Sequence, residues 1–214
     1  MTKVITSLEA LNLEISTDMH LVIYFKELVG DFIANISICA GKKLHLEHII
    51  LGGKTNCKLN FTLAESAELI NHTGFKLKND NFLSYDYSAE HLGAKSKSEL
   101  QIIGSLDDSA KKQSDLKIHF VKGAIGAIGS ERENISLFSS KAQNIAIPCI
   151  LSDESEAEGH HGFSSSHISD DELNYLKSRG IDFDKIKVIL AKNNLLRVAK
   201  LTKQADIIEE IYDY

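Results

Sequence analysis

From about residue 44 to residue 151, apolar and polar positions alternate with a period of two. The clearest run has Lys58, Asn60 and Thr62 between four apolar residues: Cys57, Leu59, Phe61 and Leu63. This alternation is typical of a strand with one buried face and one solvated face. Further strands are predicted around residues 75–77, 100–102, 116–120 and 135–137, separated by Asn, Asp, Gly, Ser and Lys, which favour turns.

The first 40 residues fit two interpretations. Residues 21–34 contain apolar runs that suit either a strand or a buried helix. The alternation at Asn35, Ile36, Ser37 and Ile38 favours a strand. We therefore predict β structure in this part of the chain as well.

The predicted strands recur at a nearly constant distance along the chain. Ile102, Ile118, Ile135 and Ile150 are separated by 16, 17 and 15 residues. Regular short strands form sandwiches, barrels or solenoids, and a constant step without a matching residue motif favours the solenoid. We predict a mainly β fold, a β-solenoid, whose two end rungs need a cap or a partner because unpaired strand edges invite aggregation.

After residue 166 the apolar pattern changes to a helical one. Ser169 and Glu172 form a capping box that begins a helix, and Gly180, after Arg179, suits its left-handed end. We predict a second helix over residues 184–192 and a third over residues 195–211. The chain is thus divided into a β core, residues 1–166, and a C-terminal helical subdomain for partner docking, residues 167–214.

Composition narrows the class of protein. The chain has 214 residues and a net charge of -6, which argues against binding of nucleic acid. It has no run of 18 apolar residues and no signal-peptide pattern at its start, so we expect a cytoplasmic protein without a membrane partner. Cys39, Cys57 and Cys149 lack Cys-x-x-Cys spacing, which argues against a structural zinc site or a disulfide framework.

Two short segments carry candidate chemistry. His160 and His161 lie in a predicted Gly-His-His-Gly loop and offer imidazole nitrogens to a metal or an iron–sulfur species. Adjacent residues of an extended segment point in opposite directions, so only one of the two suits a given ion. The alternative is a loop histidine that donates to a backbone carbonyl.

The small-residue run at residues 123–130 lacks the Gly-Lys-Ser/Thr of a phosphate loop, so we predict a tight corner there and no bound nucleotide.

Four segments occur in the order seen in one known family: Lys122-Gly123-Ala124-Ile125-Gly126-Ala127, Ile147-Pro148-Cys149-Ile150-Leu151, Gly159-His160-His161-Gly162 and Asp171-Glu172-Leu173-Asn174-Tyr175-Leu176-Lys177-Ser178-Arg179-Gly180-Ile181. On these motifs the chain resembles the SufB/SufD family of iron–sulfur cluster assembly factors, most clearly over residues 85–181. The resemblance implies a right-handed parallel β-helix followed by helices. It also implies two associated β-helix subunits and a SufC-like ABC ATPase docked on the helices.

The resemblance implies site residues too. His161 matches the SufD histidine that faces the cluster-assembly site. The region that docks the ATPase corresponds to Leu173, Tyr175, Leu176, Arg179, Gly180 and Ile181. Glu133 stands where SufB has its acceptor thiol, Gly162 where SufB has a glutamate, and Gly159 where SufD proteins often have a cysteine. These departures make the chain SufD-like and non-catalytic, with Cys149 as a further candidate ligand.

We therefore expect a subunit that pairs with a SufB-like chain or with itself, recruits a SufC-like ATPase and holds a transient iron–sulfur cluster shared with a partner. Two alternatives stay open. One is a β-solenoid enzyme acting on carbohydrate, for which the evidence would be a groove lined by several of Asp80, Asp86, Glu90 and Lys95. The other is a stand-alone metal-binding protein that uses His160, His161 and Cys149.

Overall fold

The structure, a computed structural model, describes residues 2–7 and 9–213. In this part of the chain, thirteen strands are followed by three helices. The strands are β1 (Thr2–Ile5), β2 (Leu11–Ile15), β3 (Met19–Phe25), β4 (Leu28–Ile38), β5 (Lys43–Ile50), β6 (Gly53–Leu63), β7 (Glu68–Leu77), β8 (Phe82–His91), β9 (Lys97–Leu106), β10 (Lys111–Phe120), β11 (Ile128–Leu137), β12 (Gln143–Ser152) and β13 (Glu158–His167). The helices are α1 (Asp170–Ser178), α2 (Phe183–Thr202) and α3 (Ala205–Asp213).

Successive strands alternate between two parallel sheets. The odd-numbered strands form a seven-stranded sheet in the order β1-β3-β5-β7-β9-β11-β13, and the even-numbered strands form a six-stranded sheet in the order β12-β10-β8-β6-β4-β2. Lys97, Ile128 and Glu158 share one register position, so each turn takes about 30 residues. The predicted β-solenoid is confirmed. The step of 15–17 residues seen along the sequence is half a turn, because each turn contains two strands.

The core lies between the inward faces of the two sheets. In β6 the apolar residues Cys57, Leu59, Phe61 and Leu63 are buried, as the alternation predicted. Leu59 lies beside Ala34 of the preceding turn and Tyr87 of the following one. Burial of one such side chain contributes about 1.5–3 kcal/mol, so repeating it on every rung holds the solenoid together. The predicted β structure before residue 40 is confirmed by β2, β3 and β4.

Helices α2 and α3 cover the outer face of the seven-stranded sheet. Together they form a second apolar cluster: Val22, Tyr24, Ile49, Leu51, Ile103, Leu195, Leu196, Val198, Ala199, Ile207 and Ile211. A Cβ atom on Gly74 of β7 would lie 3.2 Å from the Cβ of Val198, so the missing side chain lets α2 approach the sheet closely. Among the described residues, no helix combines the length and the apolar character needed to cross a membrane.

The N-cap predicted at Ser169 and the left-handed end predicted at Gly180 are both present in helix α1. The Glu172 amide donates to Ser169 Oγ at 3.2 Å. At the other end Gly180 has φ of +78°, its amide donates to Lys177 O at 2.9 Å, and the Ile181 amide donates to Leu176 O at 3.3 Å. These two hydrogen bonds are those of a Schellman motif.

Two helices follow α1, as the prediction over residues 184–192 and 195–211 required, but the predicted position of the break between them was wrong. Helix α2 runs from Phe183 to Thr202 through the predicted break, and α3 begins at Ala205. Asn194, at the predicted break, has a low helix propensity because its amide can compete for backbone hydrogen bonds. Here its Nδ2 donates instead to Ser105 Oγ and Ser136 Oγ of the sheet, both at 3.1 Å. The helix ends at Lys203, which adopts a left-handed φ of +57°.

Candidate functional site

The C-terminal end of the solenoid, formed by β12 and β13 and called the open end below, exposes the last strand of each sheet. Within the described residues, β12 pairs only with β10 and β13 only with β11. Almost every residue of β13 is exposed. On β12, Ile145, Ile147 and Leu151 form an exposed apolar row. Unpaired backbone groups beside apolar side chains are a template for association, so the open end is a candidate interface.

His161 lies on the interior face of β13. Its ring centroid is 6.1 Å from that of Phe163, which packs against the core. His160 points the other way, and its Nε2 lies 2.8 Å from Oε1 of Glu158. The predicted divergence of the two histidines is confirmed. The predicted loop is a strand instead, because residues 158–167 pair with β11 along their whole length.

Cys149 faces away from His161. It shares a register position with Lys117, whose side chain is exposed on the outer face of β10. Cys149 is therefore in the same outward row as Ile147 and Leu151, with its thiol half-buried. The structure does not bring the two predicted ligands of this chain together. In the residues described, no group of three or more His, Cys, Asp or Glu side chains is placed to hold a metal ion.

Behind the open end, the interior contains a buried ion pair. Lys112 Nζ contacts Glu133 Oε2, and both side chains are almost completely buried. Ser114 Oγ donates to the same carboxylate at 2.8 Å, and Asn144 Nδ2 donates to its other oxygen at 2.9 Å. Burial lowers the pKa of Lys112 to about 8, although the neighbouring carboxylate of Glu133 opposes the shift. Lys112 and Ser114 donate to one carboxylate oxygen of Glu133 and Asn144 donates to the other, so both oxygens are hydrogen-bonded.

A second interior acid, Glu131, is different. It is fully buried, and neither carboxylate oxygen has a hydrogen-bond partner among the described residues. Burial raises its pKa to about 8, because the charged form loses its hydration. Its register partners are Leu100 on the preceding strand of the sheet, β9, and His161 on the last strand, β13. Glu131 therefore lies directly beneath the predicted site histidine.

Sequence reasoning did not identify Lys112 or Glu131 as site residues, and it named Glu133 only through the family resemblance. The period-two pattern contained the signal for both acids. Glu131 and Glu133 have the same parity as Ile135, and all three face inward. Charged residues at inward positions of a predicted strand are unusual enough to mark a site.

The geometry agrees with a comparison to protein families. Residues 36–193 match the model described as SUF system FeS cluster assembly, SufBD core domain, which is more than half of the chain. The chain belongs to the SufB/SufD family. A comparison with individual curated proteins gave no match. Membership implies a role in SUF iron–sulfur cluster assembly and a place in a complex with other Suf proteins.

The SufBD match includes α1 and the first half of α2, where the docking residues were predicted. Helix α1 has no buried residue. Leu173, Leu176 and Ile181 are half-buried, whereas Tyr175, Arg179 and Gly180 are exposed. The Arg179 guanidinium lies 5.4 Å from the centroid of the Tyr175 ring. This part of the chain therefore presents an aromatic and cationic surface.

A β-solenoid enzyme acting on carbohydrate was expected to have a groove lined by several of Asp80, Asp86, Glu90 and Lys95. The structure does not bring these four residues together in one groove. Asp86 and Glu90 line separate surface depressions. Asp80 and Asp86 are paired with Lys54 at 2.6 Å and Lys58 at 2.9 Å. Asp86 and Glu90 therefore do not line a common groove.

Proposed function

We propose that this SufB/SufD-family chain is a SufD-like, non-catalytic subunit of a cytoplasmic SUF assembly complex. The observation that carries the proposal is the open end, where β12 exposes an apolar row on its outer face and β13 carries a histidine on its inner face. The chain has Glu133, Gly159 and Gly162 at the positions named above, where SufB or SufD relatives have thiols or a glutamate. It therefore resembles an accessory subunit more than the scaffold that accepts sulfur.

The open end would pair with a SufB-like chain or with a second copy of this chain. Ile145, Ile147 and Leu151 would be buried by that association, and the free edges of β12 and β13 would gain backbone hydrogen bonds. Pairing would also cover the end rung of the solenoid, whose unpaired strand edges otherwise invite aggregation. The first strands, β1 and β2, lie at the opposite end.

A SufC-like ATPase would dock on α1 and the beginning of α2. Tyr175, with 59% of its surface exposed, and Phe183, with 38%, offer aromatic side chains that nothing in the described chain covers fully. Aromatic residues with neighbouring cations are enriched at binding hot spots. ATP would be bound and hydrolysed by that partner, and no nucleotide would bind to this chain.

The iron–sulfur cluster would be cargo, formed where two subunits meet. His161 would supply an imidazole from this chain, and the partner would supply further ligands. Because the described residues place no set of thiolates at the open end, the cluster would be labile and shared between subunits. Cys149, on the outer face, would contribute only if the partner wraps around the edge of β12.

The test is co-purification of the full chain with whichever SufC-type ATPase is encoded nearest to it. We expect wild type to retain the ATPase and Tyr175→Asp to lose it, because a carboxylate would replace the exposed ring on α1. Tyr212→Asp is the matched control, since Tyr212 is also half exposed, but on α3. Failure of the wild-type chain to retain the ATPase, with residues 169–214 intact, would overturn the proposal.

A further inference from the structure

Glu47 is a buried carboxylic acid on the outer face of the seven-stranded sheet. It lies on β5, and only 2% of its side chain is exposed. Its register partner on β3 is Val22, which belongs to the apolar cluster beneath α2 and α3. A carboxylate removed from water in this way costs free energy unless other groups pair with it. The side chains beside Glu47 therefore decide what this position can do.

Two histidines flank the Glu47 carboxylate, one at each oxygen. His20 Nε2, on β3, contacts Oε2. On the other side lies His72, the register partner on β7, whose Nδ1 is 3.9 Å from Oε1. That distance is too long for a hydrogen bond. The Nδ1 atom of His72 is buried and has no hydrogen-bond partner among the described residues, so it faces the carboxylate across a gap.

The gap between Glu47 Oε1 and His72 Nδ1 has the width of a coordinated metal ion. Bonds from a transition metal ion to nitrogen and oxygen are about 2.0–2.2 Å long, so two of them together span about 4 Å. A bridging water fits less well, because it lies about 2.7–3.0 Å from each partner. Imidazole nitrogen and carboxylate oxygen are both ligands of divalent first-row transition metals. The contact from His20 to the other oxygen would orient the carboxylate, as the outer partners of metal ligands do.

The gap opens toward a surface depression of about 480 Å³ that is lined by Glu47 and both histidines. His72 is 17% exposed, so its ring lies where an ion from solution can reach it. Lys200 and Lys203, at the end of α2, also line the depression, but they are exposed and their charges are screened by solvent. Glu99 of β9 adds a second carboxylate to the same depression. The surroundings thus do not exclude a cation.

We infer that Glu47 Oε1 and His72 Nδ1 bind one divalent first-row transition metal ion on the outer face of the sheet, while His20 holds the carboxylate in place. This chain supplies two ligands, which is fewer than a closed structural site has, so the other coordination positions are open to water or to a ligand from solution. The site lies on β5 and β7, whereas the open end is formed by β12 and β13. It is therefore separate from the place proposed for the cluster and does not depend on the proposed function.

The test is equilibrium dialysis of the full-length chain against Zn²⁺. Glu47→Gln keeps an acceptor for His20 but removes the charged ligand, and His72→Phe removes the ring nitrogen. Each should weaken binding at least about tenfold. The matched control is Glu158→Gln combined with His160→Phe, because Glu158 and His160 are an exposed pair of the same residue types, with Oε1 and Nε2 2.8 Å apart. This control variant should bind Zn²⁺ as wild type does.

A second measurement uses the wild-type chain, so it does not depend on the folding of any variant. In a chain labelled with ¹⁵N-histidine, substoichiometric Co²⁺ should shift or broaden the ring signals of His72 and His20 before those of His160 and His161. Three results would overturn the inference: no binding by wild type, wild-type affinity in Glu47→Gln and His72→Phe with unchanged thermal unfolding, or first broadening at histidines other than these two. Neither measurement needs an ATPase or a SufB-like chain, so failure here is distinguishable from failure of the proposed function.

Discussion

The Nδ1 atom of His48 lies 2.7 Å from the hydroxyl oxygen of Tyr87 in the interior of the solenoid. The imidazole is fully buried, and the rings of Phe25 and Phe32 lie within 6.2 Å of it, centroid to centroid. Burial lowers the pKa of His48 to about 3, because the protonated ring would lose its hydration. A neutral histidine is thus part of the core, on strand β5, far along the chain from the open end.

We predict that His48 makes the fold sensitive to acid. In the unfolded chain a histidine ionises near pH 6.5, so between pH 6.5 and 3 the unfolded state binds more protons and the free energy of unfolding falls as the pH drops. His48→Gln keeps a partner for Tyr87 but does not titrate, so it should reduce this loss by up to about 3 kcal/mol near pH 4.5. Urea unfolding at pH 7 and pH 4.5 measures the effect. His160→Gln, on the surface, should not change it, and equal losses in wild type and His48→Gln would refute the prediction.

The buried pair of Lys112 and Glu133 should show strong coupling. Lys112→Met leaves the Glu133 carboxylate buried without its cation, so we expect a loss of about 3–5 kcal/mol in the free energy of unfolding. Lys112→Met combined with Glu133→Gln should recover most of that loss, because no charge is left uncompensated. Denaturant unfolding of both single variants and the double variant gives the coupling energy. Additive effects would show that the pair does not interact as described.

Gly104 should be intolerant of a side chain. A Cβ atom there would lie 2.3 Å from the ring of Phe75 on the neighbouring rung, so Gly104→Ala should cost about 1–3 kcal/mol. Adding Phe75→Leu should relieve part of the crowding. Gly162→Ala is the control, because nothing lies within 4 Å of a Cβ at that strand position. Equal melting temperatures for the two alanine variants would contradict this account.

The apolar row of the open end should control association. Ile147, with 48% of its surface exposed, lies in the middle of that row, and Ile147→Lys places a charge where a partner strand would pack. We expect loss of self-association or of SufB-like partner binding, with the melting temperature of the isolated chain unchanged. Val29→Lys changes an exposed valine on β4, nearer the other end, and should leave association intact. Light scattering after size-exclusion chromatography, with and without the partner, measures both.

Much of the fold could be predicted because its signals are local. The alternation at residues 57–63 depends only on which neighbouring side chains are apolar, and β6 has that pattern of burial. The ends of α1 depend on Ser169, Glu172 and Gly180, which lie within one or two turns of the hydrogen bonds they make or allow. The family resemblance rested on motifs of the same local kind, and the SufBD match includes them.

The features that could not be predicted from the sequence depend on the pairing of strands, because residues about 30 positions apart meet across each rung. Register places Cys149 on the outer face and His161 on the inner one, although both were candidate ligands on the sequence. It also aligns Glu131 with His161 and gives Asn194 its partners on the sheet, so that α2 continues where a break was predicted. Local sequence establishes which segments are strands and helices, whereas long-range packing establishes which of their side chains meet.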